Sequence, residues 1–119
     1  MVFITDVLFA VILFLLIKRF LPVKGVRNIT IQDLKIKLKD NNNQFIDVRT
    51  LGEFNQYHIP HFKNIPLHEL SRQVSQLSKD EYVIVICQSG MRSLKAGKIL
   101  KKQGFSKILN VKGGVSAWR

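Results

Sequence analysis

Apolar residues follow two patterns along the chain, and the first pattern occupies the N-terminus. Residues Val7–Ile17 are uninterrupted apolar side chains, and only Asp6 breaks the hydrophobic run that starts at Met1. Counted to Leu21 as a helix, the segment would be roughly 31 Å long at ~1.5 Å per residue, which matches a hydrocarbon core of roughly 30 Å. We therefore expect residues 1–21 to form one transmembrane helix, with a buried or interfacial helix as the alternative.

The basic residues near this segment predict its orientation. They follow the apolar run, whereas a secretory signal carries positive charge before the run and a small-residue cleavage site after it. By the positive-inside rule, the C-terminal side of the segment should face the cytoplasm. We thus expect a single-pass membrane location, with 22–27 as a basic juxtamembrane linker. The basic residues are Lys18, Arg19, Lys24 and Arg27.

The second pattern alternates strand and helix periodicities. Tyr82–Ile86 is a short apolar run, as expected of a strand covered on both faces, and Leu67–Leu77 carries apolar residues at helical spacing. This alternation predicts an α/β domain over 28–119 with a mostly parallel sheet of about five strands. The predicted strands are 26–29, 44–48, 64–65, 82–86 and 107–111. The predicted helices are 31–38, 51–57, 67–77 and 93–102, and Gly113–Gly114 opens a terminal turn.

The charge and the cysteine content limit the kinds of partner and the cellular compartment that we expect for the protein. The chain has 19 Lys and Arg against 8 Asp and Glu, a net charge of +11. Its aromatic residues do not interleave with the basic ones and no nucleic-acid-binding motif appears, so we expect no nucleic-acid partner. Attraction to an anionic membrane leaflet, or a solvated lysine-rich surface, accounts for the charge. The single cysteine, Cys87, excludes an internal disulfide framework and fits a reducing compartment.

Polar residues at two predicted strand ends indicate a site. Asp47 and Arg49 lie where one strand stops, and the segment 87–93 follows another. Ligands of open parallel sheets bind beyond the carboxyl ends of the strands. This placement favours a functional site over an inert core thiol.

The segment 87–93 has the features that cysteine chemistry requires. Cys87 would lead into a helix N-terminus, whose backbone N–H groups and dipole favour the nucleophilic thiolate, and Arg92 adds a positive charge. Gly90 permits the tight curl that turns N–H groups inward as an anion-binding nest. Phosphatases have five residues between Cys and Arg, whereas this chain has four, Gln88–Met91. The smaller cradle suits a sulfur atom or a compact anion better than a phosphate.

Three ordered motifs resemble one family. The segment CQSGMRS, 87–93, resembles the six-residue active-site loop of the rhodanese, or thiosulfate sulfurtransferase, family. The resemblance covers about 26–118. The family's first motif is matched by Phe45–Arg49, Glu53–Phe54, His58–Pro60 and Asn64–Leu67, and its Gly-Gly…Ala-Trp motif by Val111–Gly114 and Ala117–Trp118.

The resemblance implies a fold, a reaction and a set of site residues. The fold would be a rhodanese-like three-layer sandwich. The enzyme would be a sulfurtransferase in which the nucleophile Cys87 carries a persulfide between an anionic donor such as thiosulfate and a thiol or cyanide acceptor. Asp47 and Arg49 would support the site, and no cofactor motif appears. The loop that holds the persulfide would comprise Gln88, Ser89, Gly90, Met91, Arg92 and Ser93.

The sequence also departs from the family pattern, and other functions stay open. Tyr57 stands where the family commonly has Gly, and His61 and Phe62 stand where it has Gly-Ala. We expect these residues to reshape the pocket rim and so to affect donor specificity. His58 and His61 are expected to form a polar turn rather than a metal site. The alternatives are a membrane-anchored binding or persulfide-sensing module, and a phosphate- or arsenate-processing enzyme.

Overall fold

The N-terminal segment forms a helix, but the prediction that it spans a membrane is wrong. The computed structural model describes residues 2–20 and 24–118, and its first helix, α1, is Val2–Phe20. No helix within these ranges is both long and apolar enough to cross a bilayer. The charge-free run Val7–Ile17 spans only about 16 Å at ~1.5 Å per residue, about half of a hydrocarbon core.

Three charged residues account for this result. A span needs at least about 18 residues with few charges, and every stretch of that length in α1 contains all three. They are Asp6, Lys18 and Arg19. The predicted single-pass location with a cytoplasm-facing domain rested on the span and is wrong with it, and the membrane as a partner is not supported. Met1 and Leu21, the ends of the predicted span, lie outside the described residues, as do residues 22 and 23 of the predicted linker.

A five-stranded parallel sheet forms the centre of the domain, as predicted. Its strand order is β1-β5-β4-β2-β3, and every neighbouring pair is parallel. Parallel pairing places all carboxyl strand ends on one edge, so the residues that follow β2 and β4 are neighbours. The strands are β1 (Val26–Ile29), β2 (Asn43–Asp47), β3 (Lys63–Asn64), β4 (Tyr82–Ile86) and β5 (Ile108–Val111).

Helices cover both faces of the sheet and complete three layers. One face packs α4 and α5 over a core that includes Val83, Val85 and Leu100. The other face packs α2, α3 and α6 over a core that includes Ile84, Ile86 and Leu34. Alternate residues of β4 therefore enter opposite cores, which explains why the whole strand is apolar. These helices are α2 (Ile31–Lys37), α3 (Leu51–Gln56), α4 (Leu67–Gln73), α5 (Met91–Lys102) and α6 (Gly114–Trp118).

Two short helices begin with the same capping arrangement. In α2, the Thr30 side chain accepts a hydrogen bond from the Asp33 N–H, and the Asp33 carboxylate accepts one from the Thr30 N–H. Thr50 and Glu53 repeat this box at α3. Such a box satisfies N–H groups that a helix start otherwise leaves unpaired. The box at α3 also fixes the position of Glu53 beside the site.

The helices predicted over 31–38 and 51–57 each end one residue earlier, at Lys37 and Gln56, and three differences are larger. Helix α5 begins at Met91 rather than Ser93, so Arg92 lies in its first turn. The helix predicted over 67–77 ends at Gln73 and continues as a 3₁₀ turn over Val74–Gln76. The predicted terminal turn at Gly113–Gly114 instead opens a helix, α6. Two of these differences, at α5 and α6, place helix N-termini directly beside Cys87.

Candidate active site

Cys87 lies at the carboxyl end of β4 and is almost completely buried. Only 1% of its surface is exposed, and it is a free thiol. The Gly90 N–H donates a hydrogen bond to its Sγ over a nitrogen–sulfur distance of 2.9 Å. The Ser93 Oγ lies 3.3 Å from the same sulfur. The loop therefore folds back onto the sulfur atom through Gly90 and Ser93.

Ser93 connects the sulfur to the loop backbone. Its hydroxyl donates to the Gly90 carbonyl at 3.1 Å, which engages its single proton. A protonated Cys87 thiol can therefore donate to the Ser93 Oγ. Because Ser93 is fully buried, rotation of its hydroxyl proton toward the sulfur would give a thiolate a second donor without admitting water.

Gly90 allows the loop to pass directly into α5. It is the N-cap of this helix, with φ of 109°, a left-handed conformation that side-chain-bearing residues rarely adopt. Gln88 and Gly90 are partly buried, whereas Ser89 and Met91 are exposed. The positive end of the 12-residue helix α5 thus lies next to the Cys87 sulfur.

Helix α6 holds the other side of the loop through its backbone. The N–H groups of Val115 and Ser116 donate to the carbonyls of Cys87 and Gln88 at 2.9 and 3.0 Å. Gly114 has φ of 61°, and a Cβ added there would overlap the Cys87 carbonyl oxygen. The close approach therefore requires glycine at this position. The sequence motif contains Gly114, but no pattern in the sequence predicts its contact with Cys87.

Asp47 and Arg49 form a buried ion pair beside the loop. The Arg49 Nη2 lies 2.8 Å from the Asp47 Oδ2, and the two side chains are 3% and 1% exposed. The Arg49 Nη1 donates to the Gln88 side chain at 3.2 Å, and its Nη2 also donates to the Tyr57 carbonyl. Asp47 and Arg49 thus connect the end of β2 to the first residue after Cys87.

Arg92 is paired with a carboxylate that the sequence analysis did not assign to the site. Its Nη1 and Nη2 donate to the two carboxylate oxygens of Glu53 at 2.7 and 2.9 Å. The guanidinium therefore forms a forked pair with Glu53. Hydrogen bonds from Arg92, and then from Thr50, lower the pKa of Glu53 from 4.5 to about 2, against an opposing effect of burial.

A cavity of about 280 Å³ opens beside the loop. Its charged lining residues are Arg49 and Glu53, from the two ion pairs just described. Gln88 reaches it from the Cys87 loop, and the Gln88 side chain donates to the Ser116 hydroxyl at 3.0 Å. The cavity gives a ligand access to the surface of the loop. The complete lining is Arg49, Glu53, Gln56, Tyr57, Gln88, Val115 and Ser116.

The residues that depart from the family pattern have separate structural roles. Tyr57 lines the cavity. Phe62 is buried in the core and packs against Phe45, with ring centroids 5.4 Å apart. His61 is exposed and adopts φ of 76°, a conformation in which glycine carries no steric cost. His58 stacks on Phe54 with ring centroids 3.8 Å apart.

Comparison with known proteins identifies the family. The family model of the rhodanese-like domain matches residues 30–119. The chain belongs to the rhodanese-like family. It is 35% identical over 94 residues to a sulfurtransferase of Allochromatium vinosum, a match that covers 78% of this chain and 88% of that protein. It is also 35% identical over 95 residues to YrkF of Bacillus subtilis, of which it spans about half the length (51%), with 79% of this chain covered.

A crystal structure of a similar protein supports the rhodanese fold. The rhodanese-like domain protein from Staphylococcus aureus superposes with a TM-score of 0.73 at 34% identity. The match covers 78% of this chain and 91% of that protein. The predicted α/β rhodanese-like fold is confirmed. The roles of the individual site residues stay predictions.

The sequence contains a pattern at Glu53 but none at the backbone donors of α6. Glu53 carried a recognisable pattern, because Thr50 and Glu53 have the spacing of a capping box, but that pattern indicates a helix start and not a partner for Arg92. The backbone donors of Val115 and Ser116 have no pattern at all, since any non-proline residue offers an N–H group.

Proposed function

We propose that the protein is a rhodanese-type sulfurtransferase that uses Cys87 as its nucleophile. It would move a sulfane sulfur from a donor such as thiosulfate to a thiophilic acceptor, a thiol or cyanide, through a persulfide on Cys87. Relatives named as sulfurtransferases support transferase activity. The observation that carries the proposal is the sulfur environment, with the Gly90 N–H 2.9 Å and the Ser93 hydroxyl 3.3 Å from Sγ.

The reaction divides into two displacements at sulfur. In the first, the Cys87 thiolate forms a bond to the outer sulfur of thiosulfate, the sulfur–sulfur bond of the donor breaks, and sulfite leaves with the electron pair. In the second, the acceptor attacks the outer sulfur of the persulfide, and the Cys87 thiolate is regenerated. With cyanide the product is thiocyanate. One nucleophile that serves both steps predicts ping-pong kinetics.

The loop would stabilise the anionic persulfide between the two displacements. Donors that are fixed before the reaction stabilise a developing charge without reorganisation. Here the Gly90 N–H already points at the sulfur, and we expect the remaining N–H groups of 88–93, at the N-terminus of α5, to contribute further donors to the persulfide. We assign Asp47 and Arg49 the supporting role of holding Gln88 and thereby the loop.

We propose a domain boundary from the same contacts. The functional domain would begin with β1 at Val26 and not at the predicted residue 28, because Val26 and Arg27 pair with β5. It would extend to residue 119, with 22–25 as the linker from α1. The supporting observation is that all the residues of the Cys87 site lie between Asp47 and Ser116.

The length of the loop supports sulfur transfer over phosphate chemistry. The Gly90 N–H already contacts Sγ, and α5 begins only four residues after Cys87, at Met91. A tetrahedral phosphate would need a wider ring of donors. We therefore expect negligible hydrolysis of aryl phosphates.

Steady-state sulfur transfer tests this proposal. With thiosulfate and cyanide, the wild type should form thiocyanate with ping-pong kinetics, and Cys87→Ser should form none. Ser71→Ala, an exposed position on α4, serves as the control and should match the wild type. A Cys87→Ser variant that still transfers sulfur, or a wild type that hydrolyses aryl phosphates at a comparable rate, would overturn the proposal.

A further inference from the structure

The Cys87 loop has one charged side chain, and that charge is already neutralised. Gln88, Ser89, Gly90 and Met91 are uncharged, so Arg92 is the only charged residue of 87–93. Its two terminal nitrogens donate to the two oxygens of Glu53. An anionic donor that used Arg92 would have to displace this carboxylate.

The second arginine of the site is engaged in the same way. The Arg49 Nε and Nη2 donate to Asp47, and its Nη1 donates to Gln88. Asp47, Arg49, Glu53 and Arg92 thus sum to no net charge. The overall charge of +11 draws anions toward the protein surface in general, but these pairs determine what a ligand meets at the loop.

Glu53 is held in this position from two directions. Its Oε1 accepts from Arg92 at 2.7 Å and also from the Thr50 N–H and hydroxyl at 3.1 Å each. The residue also lines the cavity beside the loop. A donor in the cavity therefore encounters a fixed carboxylate, which repels a dianion more strongly than a donor of lower charge.

We propose that Glu53 determines donor specificity and makes the site favour persulfides of small uncharged thiols over dianionic thiosulfate. This inference rests on the proposed sulfurtransferase function and specifies its substrate class. Glu53 is a positioning and selecting residue that acts through Arg92 and through its own charge. It takes no part in bond formation.

The step with a persulfide donor needs no further reactant. The Cys87 thiolate forms a bond to the outer sulfur of the donor R–S–S–H, and the sulfur–sulfur bond of the donor breaks. The leaving thiolate takes the electron pair and the donor's proton and departs as R–S–H. Cys87 is left as the anionic persulfide, the same product that thiosulfate gives with release of sulfite.

The substitution Glu53→Gln removes the negative charge of Glu53 and should leave the structure of the site in place. A glutamine at the third helical position also completes a capping box, and its carbonyl can still accept from Arg92, so the fold should be retained. Glu81→Gln is the matched control, because it removes the same charge from an exposed residue just before β4, at the opposite end of the sheet. A thermal melt of each variant verifies folding.

The experiment measures the rate at which Cys87 gains a sulfur atom, by intact-protein mass spectrometry. The donors are thiosulfate and the hydropersulfide of 2-mercaptoethanol, each at low and at high salt. Glu53→Gln should load from thiosulfate at least about tenfold faster than the wild type, the size expected when charge-assisted hydrogen bonds become free for the donor. Loading from the hydropersulfide should change less than about threefold, and the gain with thiosulfate should diminish at high salt because exposed charges are screened.

Other results would overturn the inference and separate it from the proposed function. Equal changes with both donors, or the same gain in Glu81→Gln, would show that Glu53 has a structural role or a general charge effect. In either case the proposed function would stand. A wild type that loads from neither donor would overturn the proposed function, and this inference would fall with it.

A binding measurement provides a readout without chemistry. In a Cys87→Ser background, thiosulfate cannot react, so calorimetry reports its affinity alone. Adding Glu53→Gln should tighten thiosulfate binding by about tenfold or more. An unchanged affinity would contradict the inference even if the single variant loaded faster.

Discussion

The two ends of the Cys87 loop are held by ion pairs in different surroundings. At the first end, Arg49 and Asp47 are 3% and 1% exposed, and Arg49 contacts Gln88 directly. At the other end, Arg92 and Glu53 are 36% and 33% exposed, and Glu53 lines the cavity. The geometry of both pairs is good, so burial is what distinguishes them.

Because of this difference in burial, we expect the two pairs to have different roles. A buried pair is costly to break, because removal of one partner leaves an unpaired charge away from water. An exposed pair contributes little to stability, because water and salt screen it. The pair at Asp47 should therefore maintain the fold, whereas the pair at Glu53 is free to influence which ligand approaches.

The largest expected effect is at the buried pair. Asp47→Ala leaves the Arg49 guanidinium without its carboxylate in the core, and it should lower the free energy of unfolding by about 3–5 kcal/mol. Urea unfolding measures this change. Asp80→Ala, at an exposed carboxylate, should change it by less than about 0.5 kcal/mol. A cost for Asp47→Ala below that of an exposed pair would remove the distinction between the two ends.

A glycine substitution tests the same end of the loop, at Cys87 and Gln88, without changing the charge. Gly114→Ala places a Cβ against the Cys87 carbonyl and forces a left-handed conformation, so it should destabilise the fold by about 2–4 kcal/mol. It should also slow sulfur transfer, because α6 could no longer hold the loop. Gly52→Ala is the matched control, since no atom lies within 4 Å of its added Cβ, and it should be neutral or stabilising.

The contacts of Asp47 and Gly114 also show why the sequence predicts the strands better than the site. The apolar run Val83–Ile86 of β4 indicates a buried strand because its residues enter the two cores alternately. Helix α6 has only five residues and begins with glycine, and its first N–H groups find their partners on Cys87 and Gln88. A helix that depends on tertiary contacts in this way leaves no local pattern to read.

The pair of Arg92 and Glu53 could not be predicted from the sequence either, because the two residues are far apart along the chain. Arg92 and Glu53 are 39 residues apart, and their contact depends on the alignment of α3 with α5. The start of α5 was placed too late because Gly90 occupies the N-cap position, where serine, threonine or aspartate is the usual indication. The span at the N-terminus was predicted wrongly because the charges of Asp6 and Lys18 were assumed to sit at bilayer interfaces.

Arg92→Ala should separate activity from stability at the exposed end. The free energy of unfolding should fall by less than about 1 kcal/mol, because the lost pair is screened. Loading from thiosulfate should slow by roughly tenfold to a thousandfold, since a preorganised cation is removed and the Glu53 carboxylate is left unpaired beside the donor. Mass spectrometry follows the loading, and urea unfolding follows the stability. A loss of stability as large as that of Asp47→Ala would contradict this assignment.

The smallest expected effect is a pH dependence of stability. The pKa of Glu53 is about 2 in the folded chain and 4.5 without its partners, so its contribution is complete above about pH 4.5 and is lost as the pH falls toward 2. Because the pair is one-third exposed, this contribution should not exceed about 1 kcal/mol. The wild type should be more stable than Glu53→Gln by that amount at pH 7, and the difference should vanish near pH 2. A difference that grew on acidification would have the wrong sign for this pair.

The proposed persulfide on Cys87 is tested most directly by intact-protein mass spectrometry. After incubation with a sulfane donor and removal of excess donor, the wild type should gain the mass of one sulfur atom, and cyanide should remove it. Cys87→Ser should show no gain. A wild type whose mass never changes with thiosulfate or with the hydropersulfide, or a Cys87→Ser variant that gains sulfur, would contradict the account.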